Sequence, residues 1–386
     1  MPKMFYFDSK TTVVFGQDAV QGLGSEAAKL GARKALIATD KGIVRAGLLE
    51  KAIRSLTAAG LEVAVFDEVE PNPKDKMILE GARAARDHQA DLIVGLGGGS
   101  PMDAAKAIAI MSTNDGPLES YIEILDAWPN TPLPVMCVPT TAGTGAEVSR
   151  AAMINLSDQK LKRALFGASI QPVVAVVDPL LTLGLPQHLT AYTGIDALCH
   201  AFEAYIATLA NPISDALAEK AIRLAADNLR AVYSHGDDLE ARSNMLLAST
   251  LAVIACSSAG LGIVHSLAQT LGGYYDVPHG RSIAVCFPYG IGYNASAEPE
   301  KCAEVSRMMG TDTSGMSDEA AANSVLDALR NLLADLDVHD DLRSLGFRES
   351  DLPELADICV EDGSTPTNPR PIDADGFAEL FRSALD

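Results

Sequence analysis

Aromatic residues make up only 5% of this 386-residue sequence, with a single Trp, and basic residues are outnumbered 30 to 51 by acidic ones. With few aromatics and plentiful Ala, the composition favours helices. The shortage of basic charge leaves a formal net charge of −21, which repels nucleic acid and anionic membrane surfaces and argues against both as partners. Cysteine is equally uninformative as a scaffold. The six, at 137, 199, 256, 286, 302 and 359, form no CxxC pair and no small-domain disulfide spacing, so reduced core thiols in the cytoplasm are expected. The opening MPKMFYFDSKT lacks the apolar core and small-residue cleavage site of a signal peptide. One uncharged stretch, 245–264, is long enough to span a bilayer, but Ser, Thr, Gly and Ala dilute it and it reads as a buried helix. The length exceeds one ordinary hydrophobic core and predicts two or three domains.

The first half alternates. Residues 4–15 read as two short strands around Asp8-Ser9-Lys10, an edge hairpin. Residues 17–30 read as helix, 34–38 as a buried strand, 48–59 as helix, 62–66 as strand, 75–89 as helix and 91–95 as strand. Strands and helices repeating at these lengths predict right-handed βαβ units on a parallel sheet.

The strand at 91–95 runs into Leu96-Gly97-Gly98-Gly99-Ser100-Pro101 and then into a helical run, 102–111. Ser100 suits an N-cap, Pro101 the first helical position, and Asp103 adds negative charge to the first turn. A Gly-rich turn at the positive end of a helix is how backbone N–H groups cradle a pyrophosphate. It is not a GxGxxG fingerprint, and close packing alone also selects glycine in such turns. A second turn of this kind follows the strand at 133–138: Pro139-Thr140-Thr141-Ala142-Gly143-Thr144-Gly145, whose hydroxyls can wrap a ligand at the carboxyl end of the sheet. Asp40, just past the strand at 34–38, has two readings. It accepts from an adenosine ribose hydroxyl, which selects NAD over NADP, or it is a plain helix cap. Residues 173–177 supply one more strand, closed by Asp178-Pro179.

After Pro186 the strands stop. Residues 189–206, 213–233, 239–258, 263–271, 319–335 and 374–385 carry helical periodicity, so domains of 1–185 and 186–386 are expected. Asp196 and His200 sit four apart in a helical run and share one face. His265 lies in another apolar helix, and His279, beyond Gly272-Gly273 and between Pro278 and Gly280, is expected on a loop that turns back. A lone His among apolar residues is usually an ordinary core residue. Here His200, His265 and His279, three of the seven, fall within about eighty residues and are each flanked by small and apolar side chains. One carboxylate and three imidazoles suit Fe(II) or Zn(II) rather than Ca(II) or Mg(II). Cys199 is left out, because consecutive helical residues point about 100° apart. A site using both the cofactor turns and the metal candidates belongs in a cleft between the domains.

Together GGGSPMDAAKA (97–107), PTTAGTGAEVS (139–149), DPLLTLGLP (178–186), GIDALCHAFEAY (194–205) and the HSLA and PHG pair resemble the iron-containing, or group III, alcohol dehydrogenase family. The resemblance implies a dehydroquinate-synthase-like fold: an N-terminal α/β dinucleotide-binding domain with a Rossmann-like parallel sheet, and an all-α C-terminal domain. It implies that Asp196, His200, His265 and His279 hold one Fe(II), sometimes replaced by zinc. Gly97, Gly98, Gly99 and Ser100 would wrap the NAD pyrophosphate with Asp103 nearby, and Thr140, Thr141 and Thr144 would approach the ribose and nicotinamide. Lys162, Asp40, Pro71 and Asn72 match further cofactor positions. The implied activity is reversible hydride transfer between NAD(H) and a small alcohol or aldehyde, in a homodimer whose edge strand near 4–15 is a candidate contact. One position departs from the pattern: many members carry a further His four residues after the third ligand, where this chain has Gln269. It still shares a helix face with His265, but an amide cannot relay a proton. Arg150 reads as a surface ion pair or a contact to an anionic group. Two other readings remain open from sequence, a metal- and NAD-using lyase or cyclase of the dehydroquinate synthase type, and a non-catalytic nucleotide-binding protein.

Overall fold

The computed structural model describes residues 4–385 and divides into two compact units. One comprises Ser9–Thr141 and Gly145–Leu185; the other comprises residues 186–385 together with Ala142–Thr144 and residues 4–8.

The first unit is built on a six-stranded sheet of β1 (Thr12–Phe15), β2 (Lys34–Ala38), β3 (Glu62–Phe66), β4 (Leu92–Gly97), β5 (Val135–Pro139) and β8 (Val174–Val177). All pair in parallel, in the order β1-β8-β5-β4-β2-β3. The central strands LIVGLG and VMCVP are buried at every position, as expected of strands covered on both faces. Ile37, Val94 and Val138 pack one face against Leu23 and Leu56, from α1 (Leu23–Lys29) and α3 (Leu49–Ala58). Leu36, Ile93 and Cys137 pack the other against Ile78 and Ile108, from α4 (Asp75–His88) and α5 (Gly99–Thr113). A short helix, α2 (Lys41–Arg45), follows β2.

Two expectations change here. No edge hairpin forms at residues 4–15: the described chain before Thr12 has no strand, and β1 pairs in parallel with the distant β8, Thr12 opposite Val174. An antiparallel pair does form where none was expected, β6 (Ala151–Leu156) with β7 (Leu161–Phe166).

The second unit contains only helices among its described residues: α6 (Gln187–Ile206), α7 (Pro212–Ser234), α8 (Leu239–Ala259), α9 (Ile263–Tyr275), α10 (His279–Asn294), α11 (Pro299–Met308), α12 (Asp318–Asp335), α13 (Leu352–Glu361) and α14 (Ala374–Ser383), with short 3₁₀ turns. Helix α6 is buried along most of its length, and Ile195, Leu198 and Phe202 anchor the core. Helix α8 is the one described helix long and apolar enough to cross a membrane, and 56% of that stretch is buried, with Ala248, Ala252 and Ala255 in the same core.

Helices α9 and α10 also differ from expectation. α9 does not break at Gly272-Gly273 but continues to Tyr275, ending where Asp276 takes the left-handed conformation at φ 56°. His279 is not on a loop; it is the first residue of α10, with Pro278 as N-cap. Gly280 fits there because a Cβ would come within 2.8 Å of the Tyr192 carbonyl oxygen, so only glycine lets α10 start this close to α6.

Candidate metal centre and cofactor turns

Helix α6 puts Asp196 and His200 on one face, and α9 and α10 bring His265 and His279 to it. Asp196 Oδ1 lies 3.2 Å from His200 Nδ1, 3.8 Å from His265 Nε2 and 3.6 Å from His279 Nε2. The Nε2 atoms of His200 and His265 are 3.1 Å apart. Asp196, His200 and His265 are buried, and His279 is the most open of the four, at 19% side-chain exposure.

Hydrogen bonding fixes what these atoms can do. His200 Nδ1 donates to the Asp196 carbonyl oxygen at 2.9 Å, and His265 Nδ1 donates to Glu203 Oε2 at 2.5 Å. With each proton on Nδ1, both Nε2 atoms present lone pairs to each other at 3.1 Å, an arrangement that is repulsive without a positive charge between them. Asp196 Oδ1 is buried with no hydrogen bond. An orphaned carboxylate oxygen facing imidazole lone pairs fits a divalent cation of borderline softness. Burial works to raise the Asp196 pKa, but with no cation present the protonated forms of His200, His279 and His265, and the approach of the His200 ring N–H, outweigh it and hold the carboxyl well below its usual range. For His200, burial lowers the pKa and the Asp196 carboxylate overrides it, a net rise.

Glu203 was not singled out from the sequence. It lies seven residues after Asp196 and three after His200, so the helical period that paired those two also places it on their face. Cys199 stands on its side of His265, Sγ 4.0 Å from Nδ1 rather than Nε2, and burial pushes the thiol well above its ordinary pKa. A protonated thiol behind the imidazole is no ligand. Gln269, one turn after His265, is half-buried.

In the first unit, the Gly-rich turn leaves β4 and enters α5, which starts two residues earlier than expected. Gly98 is the N-cap, so Ser100 and Pro101 lie inside the first turn and no side chain caps the helix. Gly97 has φ +147°, and a Cβ there would lie 2.6 Å from Pro101 Cγ; at Gly95 it would lie 2.8 Å from the Met102 backbone. Those two glycines are required by the close approach of strand and helix. Gly98 is different: a Cβ there meets only the Thr141 side chain, at 3.5 Å. Thr140, buried, donates its N–H to the Gly97 carbonyl at 2.9 Å and ties the two turns together.

Asp103 is held within the fold. Its Oδ1 accepts from the fully buried Lys106 Nζ at 3.2 Å, and Oδ2 accepts from the Met153 N–H at 3.1 Å, which locks α5 to β6. Asp40 Oδ1 caps α2 through Gly42 and Ile43, while Oδ2 lies 3.5 Å from where a Gly97 Cβ would stand. One carboxylate thus makes the cap and also reaches the Gly-rich turn. Lys162, on β7, donates to Asn72 Oδ1 at 3.1 Å; both are buried, Asn72 has φ +52°, and Pro71 beside it is exposed. The Arg150 guanidinium lies over the Phe166 ring at 4.8 Å. Thr144 belongs to the helical unit, and its Oγ1 is buried without a hydrogen bond.

Comparison with known proteins agrees with these geometries. Residues 10–179 match the family model for iron-containing alcohol dehydrogenase, and residues 190–385 match that for the C-terminal part of the Fe-containing alcohol dehydrogenase family. The chain is 43% identical to the 1,3-propanediol dehydrogenase of Citrobacter freundii over 385 residues, 99% of each protein. It is 36% identical to the NAD-dependent methanol dehydrogenase of Bacillus methanolicus over 372 residues, 96% of this chain and 97% of that one. The solved structure of a 1,3-propanediol oxidoreductase superposes with a TM-score of 0.95 at 42% identity, covering 99% of this chain and 100% of the other. None of these names is that of a lyase, a cyclase or a non-catalytic protein. The chain belongs to the iron-containing alcohol dehydrogenase family.

Proposed function

We propose that this chain is an NAD-dependent oxidoreductase that interconverts a small alcohol and its aldehyde or ketone, with one ferrous ion held by Asp196, His200, His265 and His279. The observation that carries it is the buried Asp196 Oδ1, which lacks a hydrogen bond and faces three imidazoles, two of them with lone pairs directed inward. When bound, iron supplies Lewis acidity toward a substrate oxygen, and NAD(H) supplies the hydride acceptor or donor.

The chain's own residues do the rest. Asp196 contributes one negative charge, and the backbone carbonyl and carboxylate partners of His200 and His265 keep their Nε2 atoms basic. The start of α5 has no side-chain cap and the Gly98 position has room beside Thr141, which suits a pyrophosphate wrapped by Gly97, Gly98, Gly99 and Ser100. Asp40 Oδ2 can accept from a ribose hydroxyl and repel a 2′-phosphate, favouring NAD. Asn72, Lys162 and the hydroxyls of Thr140, Thr141 and Thr144 complete the cofactor set, with Pro71 beside it. Asp103 acts on the cofactor turn through Lys106 and β6 rather than by contact. Gln269, one turn after His265 on α9, is assigned to the substrate side of the site, where an amide cannot relay a proton. Residues 1–185 form the NAD-binding half and 186–386 the metal-binding half.

The buried free thiols of Cys137, Cys199, Cys286 and Cys302 suit a reducing compartment such as the cytoplasm. The open edge of β1, with Val13 and Phe15 exposed, suits pairing with a second copy in a homodimer, which light scattering would detect. The activity is tested by following NADH absorbance with iron-loaded protein and a panel of small alcohols and aldehydes, beginning with 1,3-propanediol. Turnover that chelation abolishes and Fe(II) restores is expected. Absence of turnover across the panel, or turnover indifferent to the metal, would contradict the proposal.

A further inference from the structure

We propose that Glu203 is a positioning residue for the metal centre: one buried carboxylate both caps the N-terminus of α9 and fixes the proton of His265 on Nδ1, so that Nε2 is delivered unprotonated to the metal. The inference rests on the reading of His265 as a metal ligand.

Four observations carry it. Glu203 Oε1 accepts the Val264 N–H at 2.7 Å, in the first turn of α9, while Oε2 accepts from His265 Nδ1 at 2.5 Å. The Glu203 side chain is fully buried, so no water competes for it. Asn368 Oδ1 takes the neighbouring Ile263 N–H at 3.2 Å, so the open end of α9 is closed from two sides. Gly262, the N-cap, is glycine because a Cβ there would come within 2.8 Å of Glu203 Oε1 and 2.7 Å of Asn368 Oδ1. The chain therefore gives up a side-chain cap at Gly262 to let a remote carboxylate reach the helix end.

An unpaired buried carboxylate is costly, and two features offset this one: the positive end of the helix dipole and the imidazole N–H. The carboxylate has only acceptors, so its partner on the ring has to be an N–H. The other ring nitrogen is then left with its lone pair directed at Asp196 and His200. Glu203 also brings the buried negative charge around the four donors to two, matching a divalent ion with neutral imidazoles.

Replacement by the isosteric amide separates this role from a simple cap. In Glu203→Gln the amide oxygen still accepts the Val264 N–H, but the amide nitrogen, a donor, faces Nδ1 and drives the ring proton to Nε2. The test uses the full chain loaded anaerobically with Fe(II) and competed with a chelator, together with thermal melting of the metal-free protein and ¹⁵N chemical shifts of its histidines. Glu203→Gln should bind Fe(II) about 10–100-fold more weakly, melt within a few degrees of wild type when metal-free, and show His265 protonated on Nε2. His265→Ala serves as the reference. If it retains Fe(II), the metal-ligand reading fails; if it loses Fe(II) while Glu203→Gln binds as wild type does, only the Glu203 proposal fails. Should Glu203→Gln not fold, the wild-type shifts alone decide: Nδ1–H on His265 supports the proposal and Nε2–H overturns it.

Discussion

Two helix N-termini in this chain meet opposite fates. At α5 the Gly98 N-cap leaves the first N–H groups without any side-chain partner, and the position has room beyond it. At α9 the Gly262 N-cap is equally bare, yet Glu203 and Asn368 take the N–H groups of its first two residues, Val264 and Ile263. On the proposed function, the same backbone feature, a helix end with orphan donors, would serve as a receptor for an external anion in one case and as a clamp on a metal ligand in the other. What decides is whether the protein supplies the anion itself. An open end can bind and release; a closed end holds its helix, and His265 with it, in one place.

The largest effect should come from breaking the clamped side. His265→Ala is expected to remove iron and lower kcat/KM by at least about 10³-fold, with NAD affinity within a factor of about three because α5 is untouched; metal analysis and a fluorescence titration with NADH check both. Next is the open side. Gly98→Ala adds a methyl group into space bounded only by Thr141 at 3.5 Å, so melting should barely change while the KM for NAD rises on the order of 10-fold. Gly97→Ala, by contrast, collides with Pro101 and strains a positive φ, and should cost about 1–3 kcal/mol of stability. Equal behaviour of the two variants would break the distinction between packing glycine and ligand glycine.

A smaller effect is expected at Asp40. Asn caps a helix as well as Asp does, so Asp40→Asn should keep α2 intact while narrowing the preference for NAD over NADP by roughly 10-fold. Comparison of KM values for the two cofactors reads it. The smallest is Asn368→Ala, which removes one of the two caps on α9 and leaves Asn294, its buried partner, short of bonds. About 1–2 kcal/mol of stability should be lost, measured by chemical denaturation, with the iron affinity less affected than by any change at Glu203.

The sequence made the parallel sheet legible because β4 and β5 are continuous apolar runs between helices of the expected length. It made the Asp196–His200 pair legible because four-residue spacing on a helix needs no tertiary information. The β6–β7 pair escaped notice for the opposite reason: AAMINL and LKRALF are poor in β-branched and aromatic residues, and the strands exist because they cover α5, through Lys106 and the Ala151 carbonyl. The Pro and Gly that flank His279 read as loop signals, yet Pro at an N-cap and Gly at the second helical position are both compatible with a helix start. The glycine is explained only by Tyr192, far away in the chain. Pairing with a sequence neighbour is the default that makes residues 4–15 read as a hairpin, whereas the partner of β1, β8, lies some 160 residues on. Glu203 shares the periodicity that marks Asp196, but a carboxylate in a helix ordinarily faces water, so spacing alone does not distinguish it.

The central claim is that four side chains from α6, α9 and α10 share one cation. Anomalous diffraction at the iron edge, from protein purified without oxygen, tests it most directly. A single iron peak per chain, bonded to an Asp196 carboxylate oxygen and to Nε2 of His200, His265 and His279, is the predicted result. No peak among these residues, or one that leaves any of the four out of bonding distance, would contradict it.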